Sequence, residues 1–532
     1  MTAPLDWRSD CVVAFAREAP TYPRTTPFDP SESYPELPAL PRGREDNPAF
    51  RAVRESFRAL GLDAGNFGSA AWNPLGGLVR PGDRVVLKPN LVSHRNMGAR
   101  AYGETDTDSL VTHGSVVRAV LEYVAIALAG RGSVVIGDCP VQGTRWPELM
   151  ELTGLEAVAA SVHARHPGLE VRCEDFRLGR AAIVNERMVS REVDESRRDQ
   201  YEEVDVGRHS ALLPLMEGEY AFGVAQYPRH RMRRAHSPER NLYLFPKAFL
   251  DADVLINLPK LKGHMKAGVT CALKNFVGLN GHKDYLPHFR FGSPRHGGDE
   301  YPDGNWLADI MWGLVHADWE REAGLAKAGF FYAAGVVNRI LRYVYGYPKG
   351  YMSLGGGSWH GNDTIWRMVL DINRAFLYFD GASRRVHEGA PARRYFAVID
   401  GLVGGHRESP LAPSPYPAGV VLAGANPAAL DLAATAFMGF DWRRIPQVVH
   451  AFDAHALPLT TFGPADVELR GLEGARRVED IYGAGLHARF EPSMGYRGFI
   501  EFAGGAPSSP ADASSRAAHD ARSDALARLP EG

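Results

Sequence analysis

The chain has 532 residues, 45% of them hydrophobic and 23% charged, and 60 Lys+Arg against 63 Asp+Glu give a formal net charge of −3. That length allows two to four domains, or one large core with insertions, and the ordinary apolar fraction excludes wholesale disorder. The near-balance of charge speaks against a dedicated nucleic-acid binder, which carries a basic excess or patch.

Cys11, Cys139, Cys173 and Cys271 lie far apart with no CxxC pair. A zinc or iron–sulfur centre needs thiolates that converge from close pairs, so no metal and no iron–sulfur cluster is expected. So few cysteines also argue against a disulfide scaffold. The N-terminal sequence has no apolar run of signal-peptide length, and no stretch approaches the ~20 apolar residues of a membrane helix. The expectation is a cytoplasmic protein with no membrane contact.

Residues 1–45, rich in proline and polar side chains, read as an extended arm over the surface. Over 46–299 the pattern is that of an α/β core. NPAFRAVRESFRALGL has apolar positions at helical spacing, and RVVLKPNLV (84–92) is a strand with a continuous apolar run. SLVTHGSVVRAVLEYVAIALAG (109–130) is a long helix with Thr112 or Asp108 as N-cap, and GSVVIGD (132–138) is a second buried strand. Strand, helix and strand in that order make a βαβ unit, hence a mainly parallel sheet flanked by helices. ADVLINLPK (252–260) and YFAVIDGLVG (395–404) add strands, and AGVVLAGANPAALDLAATAFMG (418–439) reads as strand, turn and helix. Residues 300–390 form an aromatic-rich helical insertion or lid, 391–505 continue the core, and 506–532 read as a disordered tail.

Ligand-contacting residues in open α/β sheets gather at the C-terminal ends of the strands. Lys88 and Asn90 close the first strand, and Asp138 and Asp400 each follow a buried one. The densest chemistry is NLPKLKGHMKAGVTCALKNFVGLNGHKD (257–284), with Lys260, Lys262, His264, Lys266, Lys274, Asn275, His282 and Lys283 and few acids to neutralise them. Such a cluster suits a phosphate or carboxylate. The turn before ALKN leads into a helix whose free N–H groups are expected to add to an anion site. Lys274 sits among apolar neighbours, so its amine should be partly buried, with a lowered pKa and the capacity to act as base or covalent amine. His113, before the long helix, is a second titrating candidate, as imidazole changes charge near neutral pH. Asp106 and Asp108 stand close to it. In SWHGNDTIWRMVLDINR (358–374), Arg374 or Asp363 is expected to face the site. GGHRESPLAPSP, with Arg407, reads as a flexible loop without phosphate-loop spacing.

The ordered set KPNLV, THGSVVRAV, IGDCP, NLPKLKGHMKAGVTCALKNFVGL, VIDGLVG and GANPAALDLAATAFMG resembles the domain-of-unknown-function 362 family over about residues 80–440. The resemblance implies an α/β core and a bacterial cytoplasmic enzyme or redox-associated protein, without a substrate. Many relatives add a cysteine-rich ferredoxin-like module that this chain lacks. A more distant likeness to the nickel-pincer lactate racemases implies that Lys274 holds a cofactor or acts as base, with His113 and His264 as proton carriers.

The reading is therefore an enzyme acting on a small anionic metabolite, with Lys274, His264 and His113 catalytic. Lys88, Asn90, Asp138, Lys260, Lys262, Asn275, Asp400 and Arg374 bind the substrate. Isomerisation, group transfer and ligation all fit, the cofactor is open, and a homo-oligomer is compatible. The alternatives are a non-catalytic electron-transfer or metallocofactor-handling protein and a ligand-binding scaffold in a biosynthetic complex.

Overall fold

A mixed sheet of eleven strands organises the chain. The computed structural model describes residues 7–503 apart from 99–102, 104–105, 185–186, 219, 321–324, 348–349, 390 and 392. The tail expected at 506–532 lies outside the described residues.

In chain order the elements that build the site are β1 (Val12–Arg17), α1 (Pro48–Ala59), β2 (Arg84–Pro89), α2 (Gly114–Leu128), β3 (Gly132–Asp138) and β4 (Leu169–Asp175). They continue with β5 (Val254–Leu258), β6 (Lys260–His264), α3 (Cys271–Asn275), α4 (Trp306–Trp319), α5 (Leu325–Val344) and α6 (Ile365–Leu377). The last are β7 (Arg394–Glu408), β8 (Ala412–Tyr416), β9 (Val420–Gly424), α7 (Pro427–Phe437) and β10 (Glu468–Arg470). The sheet runs β10-β1-β9-β7-β5-β2-β3-β4, with β6 and β8 attached along β7. From β7 to β4 every neighbouring pair is parallel, as the βαβ reading requires. Covered on both faces, these strands are near-continuous apolar runs, and all five residues of β5 are buried.

Strand β7 is fifteen residues long and joins two regions. Arg394–Ala397 pair with β5, Ala397–Gly401 with β9, and Gly404–Glu408 with β8. The stretch expected as a flexible loop around Arg407 is therefore strand, and Arg407 pairs with Glu491 at 2.9 Å. Strand β6 runs parallel to β7 with a register shift between Lys260 and Lys262.

Three expectations change. The first 45 residues are more than a surface arm, because β1 lies inside the sheet between β9 and β10. Its short apolar run was masked by the proline-rich sequence that follows. The N-cap of α2 is His113, whose Nδ1 accepts from the Ser115 N–H at 3.1 Å. Thr112 instead donates its hydroxyl to the Leu258 carbonyl at 2.6 Å, and Asp108 pairs with Arg24. Within 300–390, α4 and α5 form a hairpin with its own small core around Met311, Trp312 and Leu341, whereas Met368, Val369, Ile372 and Phe376 of α6 belong to the main core.

Candidate functional site

Strands β2, β3 and β5 end side by side, with Asn257 opposite Lys88 and Leu87 opposite Ile136. Above these ends opens a cavity of about 300 Å³. Of the substrate-binding and catalytic candidates, Lys88, Asn90, Asp138, His264, Lys274 and Asn275 line it, together with Lys266, His282 and Lys283.

The floor is a closed polar network. Lys88 Nζ stands 2.8 Å from Asp138 Oδ1 and donates to Asn275 Oδ1 at 3.2 Å. Asn90 Nδ2 donates to the same Asn275 oxygen at 2.8 Å, and Asn275 Nδ2 donates to Asn257 Oδ1 at 2.7 Å. From behind, Lys262 donates to Asn90 Oδ1 at 2.8 Å and to the Leu110 carbonyl at 2.6 Å. Lys262 thus orients Asn90 without lining the cavity. Gly278 is required here, because a Cβ on it would sit 2.0 Å from Asp138 Oδ1.

The wall carries the unanswered charge. Lys274, on α3, is buried, and among the described residues its amine has no hydrogen-bond or ion-pair partner. Burial, then Lys283, Lys266 and Lys88, push its pKa down to about 7. Lys266 is pushed down to about 8, chiefly by burial, while its amine donates to the Gly356 carbonyl and to Ser358 Oγ. Burial also lowers Lys283. An ammonium taken out of water without a counter-ion is costly, so each of these groups favours either deprotonation or an incoming anion. Asp138 does not supply that anion, since Lys88 and the Leu91 and Cys139 N–H groups already occupy it.

Two imidazoles complete the wall. His264 Nδ1 accepts from the Lys266 N–H at 3.0 Å, which places the neutral ring's proton on Nε2. His288 Nδ1 lies 2.7 Å from the Leu286 carbonyl and donates to it, leaving Nε2 as an acceptor. Burial holds both rings well below the usual histidine range, with the lysines adding to it. They enter the cavity as a neutral donor and a neutral acceptor. His288 escaped the sequence reading because it lies four residues past the lysine-rich block, in LPHFRF; an imidazole in an aromatic run was the available signal. Apolar side chains also line the cavity, among them Met188, Val224, Val277 and Leu286.

The helix N-terminus does not contribute an anion site. Asp431 on α7 accepts from the Ala272 and Leu273 N–H groups at 2.5 and 3.2 Å, so α3 is capped from within the protein.

The other candidates lie elsewhere. Lys260 pairs with Asp400 at 2.9 Å, both fully buried, and Tyr22 from the N-terminal segment hydrogen-bonds each of them. His113 joins this cluster: its backbone N–H donates to Asp400, and its ring stacks on Tyr22 with centroids 4.1 Å apart. Burial pushes the ring's pKa down to about 3, so it stays neutral at physiological pH. None of the three lines the cavity. Arg374 pairs with Asp371 at 3.8 Å and donates to the Leu457 carbonyl, and Asp363 pairs with Arg367. Among the described residues no group of three His, Cys, Asp or Glu side chains is placed to hold a metal ion.

Residues 85–212 and 221–436 match the model of the family described as Domain of unknown function (DUF362). Among curated proteins, the thylakoid-associated protein sll1697 of Synechocystis sp. is 26% identical over 208 residues, a match that covers 38% of this chain and 42% of that protein. The chain therefore aligns with less than half of that relative's length. No solved structure matches.

Proposed function

Given that the chain belongs to the DUF362 family, whose description carries no activity, we propose from its own cavity that it is an enzyme acting on a small anionic metabolite, with Lys274 as base or covalent amine. The observation that carries this reading is the Lys274 amine. It is buried at a cavity wall and lacks a partner among the described residues, and burial with the neighbouring lysines pushes its pKa down to about 7. A lysine in that state is in part free amine, able to take a proton from carbon beside a carboxylate or to add to a carbonyl.

The neighbours divide the remaining work. Lys266 and Lys283 answer the substrate's phosphate or carboxylate charge. His264 donates from Nε2 and His288 accepts at Nε2, which orients a polar substrate rather than moving a proton, because both rings resist protonation. The Lys88–Asp138–Asn275–Asn90 floor fixes the shape beneath. In this reading the protein works in the cytoplasm, in keeping with four free thiols.

The test is a thermal-shift screen of phosphorylated and carboxylated metabolites on the wild-type chain and on Lys274→Met. Borohydride reduction in the presence of 2-oxo acids, followed by mass spectrometry, reports any Schiff base at Lys274. At least one anion should raise the wild-type melting temperature and fail to raise that of Lys274→Met. A screen in which no anion shifts the wild type would end the proposal.

A further inference from the structure

The α4–α5 hairpin has the wrong side out. Of eleven large hydrophobic side chains exposed among the described residues, nine fall between Trp306 and Tyr345. On α5, Tyr332, Val336, Ile340 and Tyr343 are exposed at spacings of four, four and three, so they form one stripe along the helix. Its opposite face, with Ala334 and Leu341, is buried against Met311, Trp312 and Val315 of α4. Trp306 and Ile310, one turn apart on α4, are exposed as well. The hairpin therefore has its small core on the inside and a second apolar face that is exposed among the described residues.

The charge on the α5 part of that face has one sign. The sequence of α5, LAKAGFFYAAGVVNRILRYV, contains basic residues and no acid. Arg339 is exposed and, by its spacing from Val336 and Tyr343, stands within the stripe. Arg342 holds its guanidinium 5.2 Å from the Tyr343 ring centroid. On α4, Asp309 is paired with Arg295. Aromatic rings, aliphatic side chains and arginines on one side of a helix are the combination that suits the boundary between lipid tails and anionic headgroups. A symmetric pairing of two such stripes would set arginines against arginines with no acid on either helix to answer them. Among the described residues no helix is long and apolar enough to cross a membrane; a one-sided stripe fits a helix lying in the plane of the interface.

We propose that the α4–α5 hairpin docks on an anionic lipid bilayer, with the stripe from Tyr332 to Tyr343 facing the lipid. Docking bears on the cavity as well, because the segment after α5 supplies Gly356 and Ser358, the partners of Lys266.

The experiment is co-sedimentation of the full chain with vesicles of phosphatidylcholine alone and of phosphatidylcholine with one quarter phosphatidylglycerol, at low and high salt. The expected result is binding to the anionic vesicles that weakens with salt. Arg339→Gln should lower the partition about fivefold. Val336→Asp should lower it by about tenfold or more, as it places a charge where a buried valine is needed. Both positions are exposed, so circular dichroism should match the wild type; if Val336→Asp fails to fold, Tyr343→Ser replaces it. Three outcomes overturn the proposal. They are no recovery with anionic vesicles above that with phosphatidylcholine, binding by the stripe variants equal to wild type, or a dimer in light scattering that Val336→Asp dissolves. The last would give the face to a second copy of this chain.

Discussion

Lys88 and Asp138 face each other at 2.8 Å across the ends of two parallel strands, with side chains 0% and 4% exposed. All three ammonium N–H groups and both carboxylate oxygens of the pair are engaged. The carboxylate accepts from the Leu91 and Cys139 N–H groups at 2.7 and 2.8 Å, and the ammonium donates to the Pro89 carbonyl at 2.9 Å and to Asn275. A buried ion pair satisfied this completely is a fixed piece of the floor. It leaves the cavity's net positive charge to Lys274, Lys266 and Lys283.

Removing one partner strands the other charge. Lys88→Met should destabilise the fold by about 3–5 kcal/mol, far more than the lost contact alone, because Asp138 is then buried without a cation. Urea denaturation measures this, and a loss under about 1 kcal/mol would mean that the floor rearranges to give Asp138 other partners.

The same pair explains Gly278. A methyl group there would meet Asp138 Oδ1 at 2.0 Å and Lys88 Nζ at 2.7 Å, and neither can withdraw without losing the other. Gly278→Ala should cost about 1–3 kcal/mol and lower the melting temperature. It should also disturb the backbone at Cys139, whose N–H donates to the Gly278 carbonyl at 2.9 Å. An alanine variant that melts like wild type would show that the floor can shift.

How much of this the sequence carries depends on whether the determining contact is local. The parallel core was legible, since buried strands and the helix between them repeat their apolar pattern within some fifty residues. Lys274 was legible too, because a lysine inside CALKNFVGL has to be buried wherever that segment packs. The division of the candidates was not. Lys260, Lys262 and His264 alternate on one strand, yet they reach three different surroundings: Tyr22 and Asp400, then Asn90, then the cavity. Those partners come from segments more than a hundred residues away, and the register shift in β6 leaves no mark in its composition. Asp431 likewise caps α3 from 159 residues downstream, so local sequence made that helix end look open.

His113 provides a sharp test of this division. It caps α2 through Nδ1 and stacks on Tyr22, with Phe28 tilted at 5.0 Å on the other ring contact. His113→Ala should therefore cost about 1–2 kcal/mol from the lost cap and the lost stacking. The affinity for any anion in the cavity should not change. The ring's pKa is pushed down to about 3 from 6.5. A histidine held neutral in this way favours unfolding as pH falls from 6.5 towards 3, since the unfolded chain binds the proton first. That acid sensitivity should be smaller in His113→Ala. Unchanged stability together with lost anion binding would return His113 to the site.

Lys274 makes the opposite prediction for anion binding, while its pH dependence has the same sign in a higher window. Its pKa lies near 7 in the folded protein against an ordinary 10.5. Between those values the unfolded chain binds a proton that the folded chain does not, so wild-type stability should rise with pH across the window. The slope from this residue should approach roughly 1.4 kcal/mol per pH unit. Lys266, near 8, adds to the slope with the same sign. Lys274→Met keeps the apolar stem and deletes the charge, so it should unfold at higher urea than wild type at pH 7, and the two should converge as pH nears 10.5. Lys274→Arg should be less stable than either, because a guanidinium cannot shed its proton in that setting, and it should not restore whatever turnover the methionine variant loses. Bound anion should reverse the shift, so calorimetry in buffers of different ionisation enthalpy should detect proton uptake on binding. If Lys274→Met instead melts below wild type at pH 7 and arginine restores it, the ammonium is a structural group and the catalytic reading of Lys274 fails.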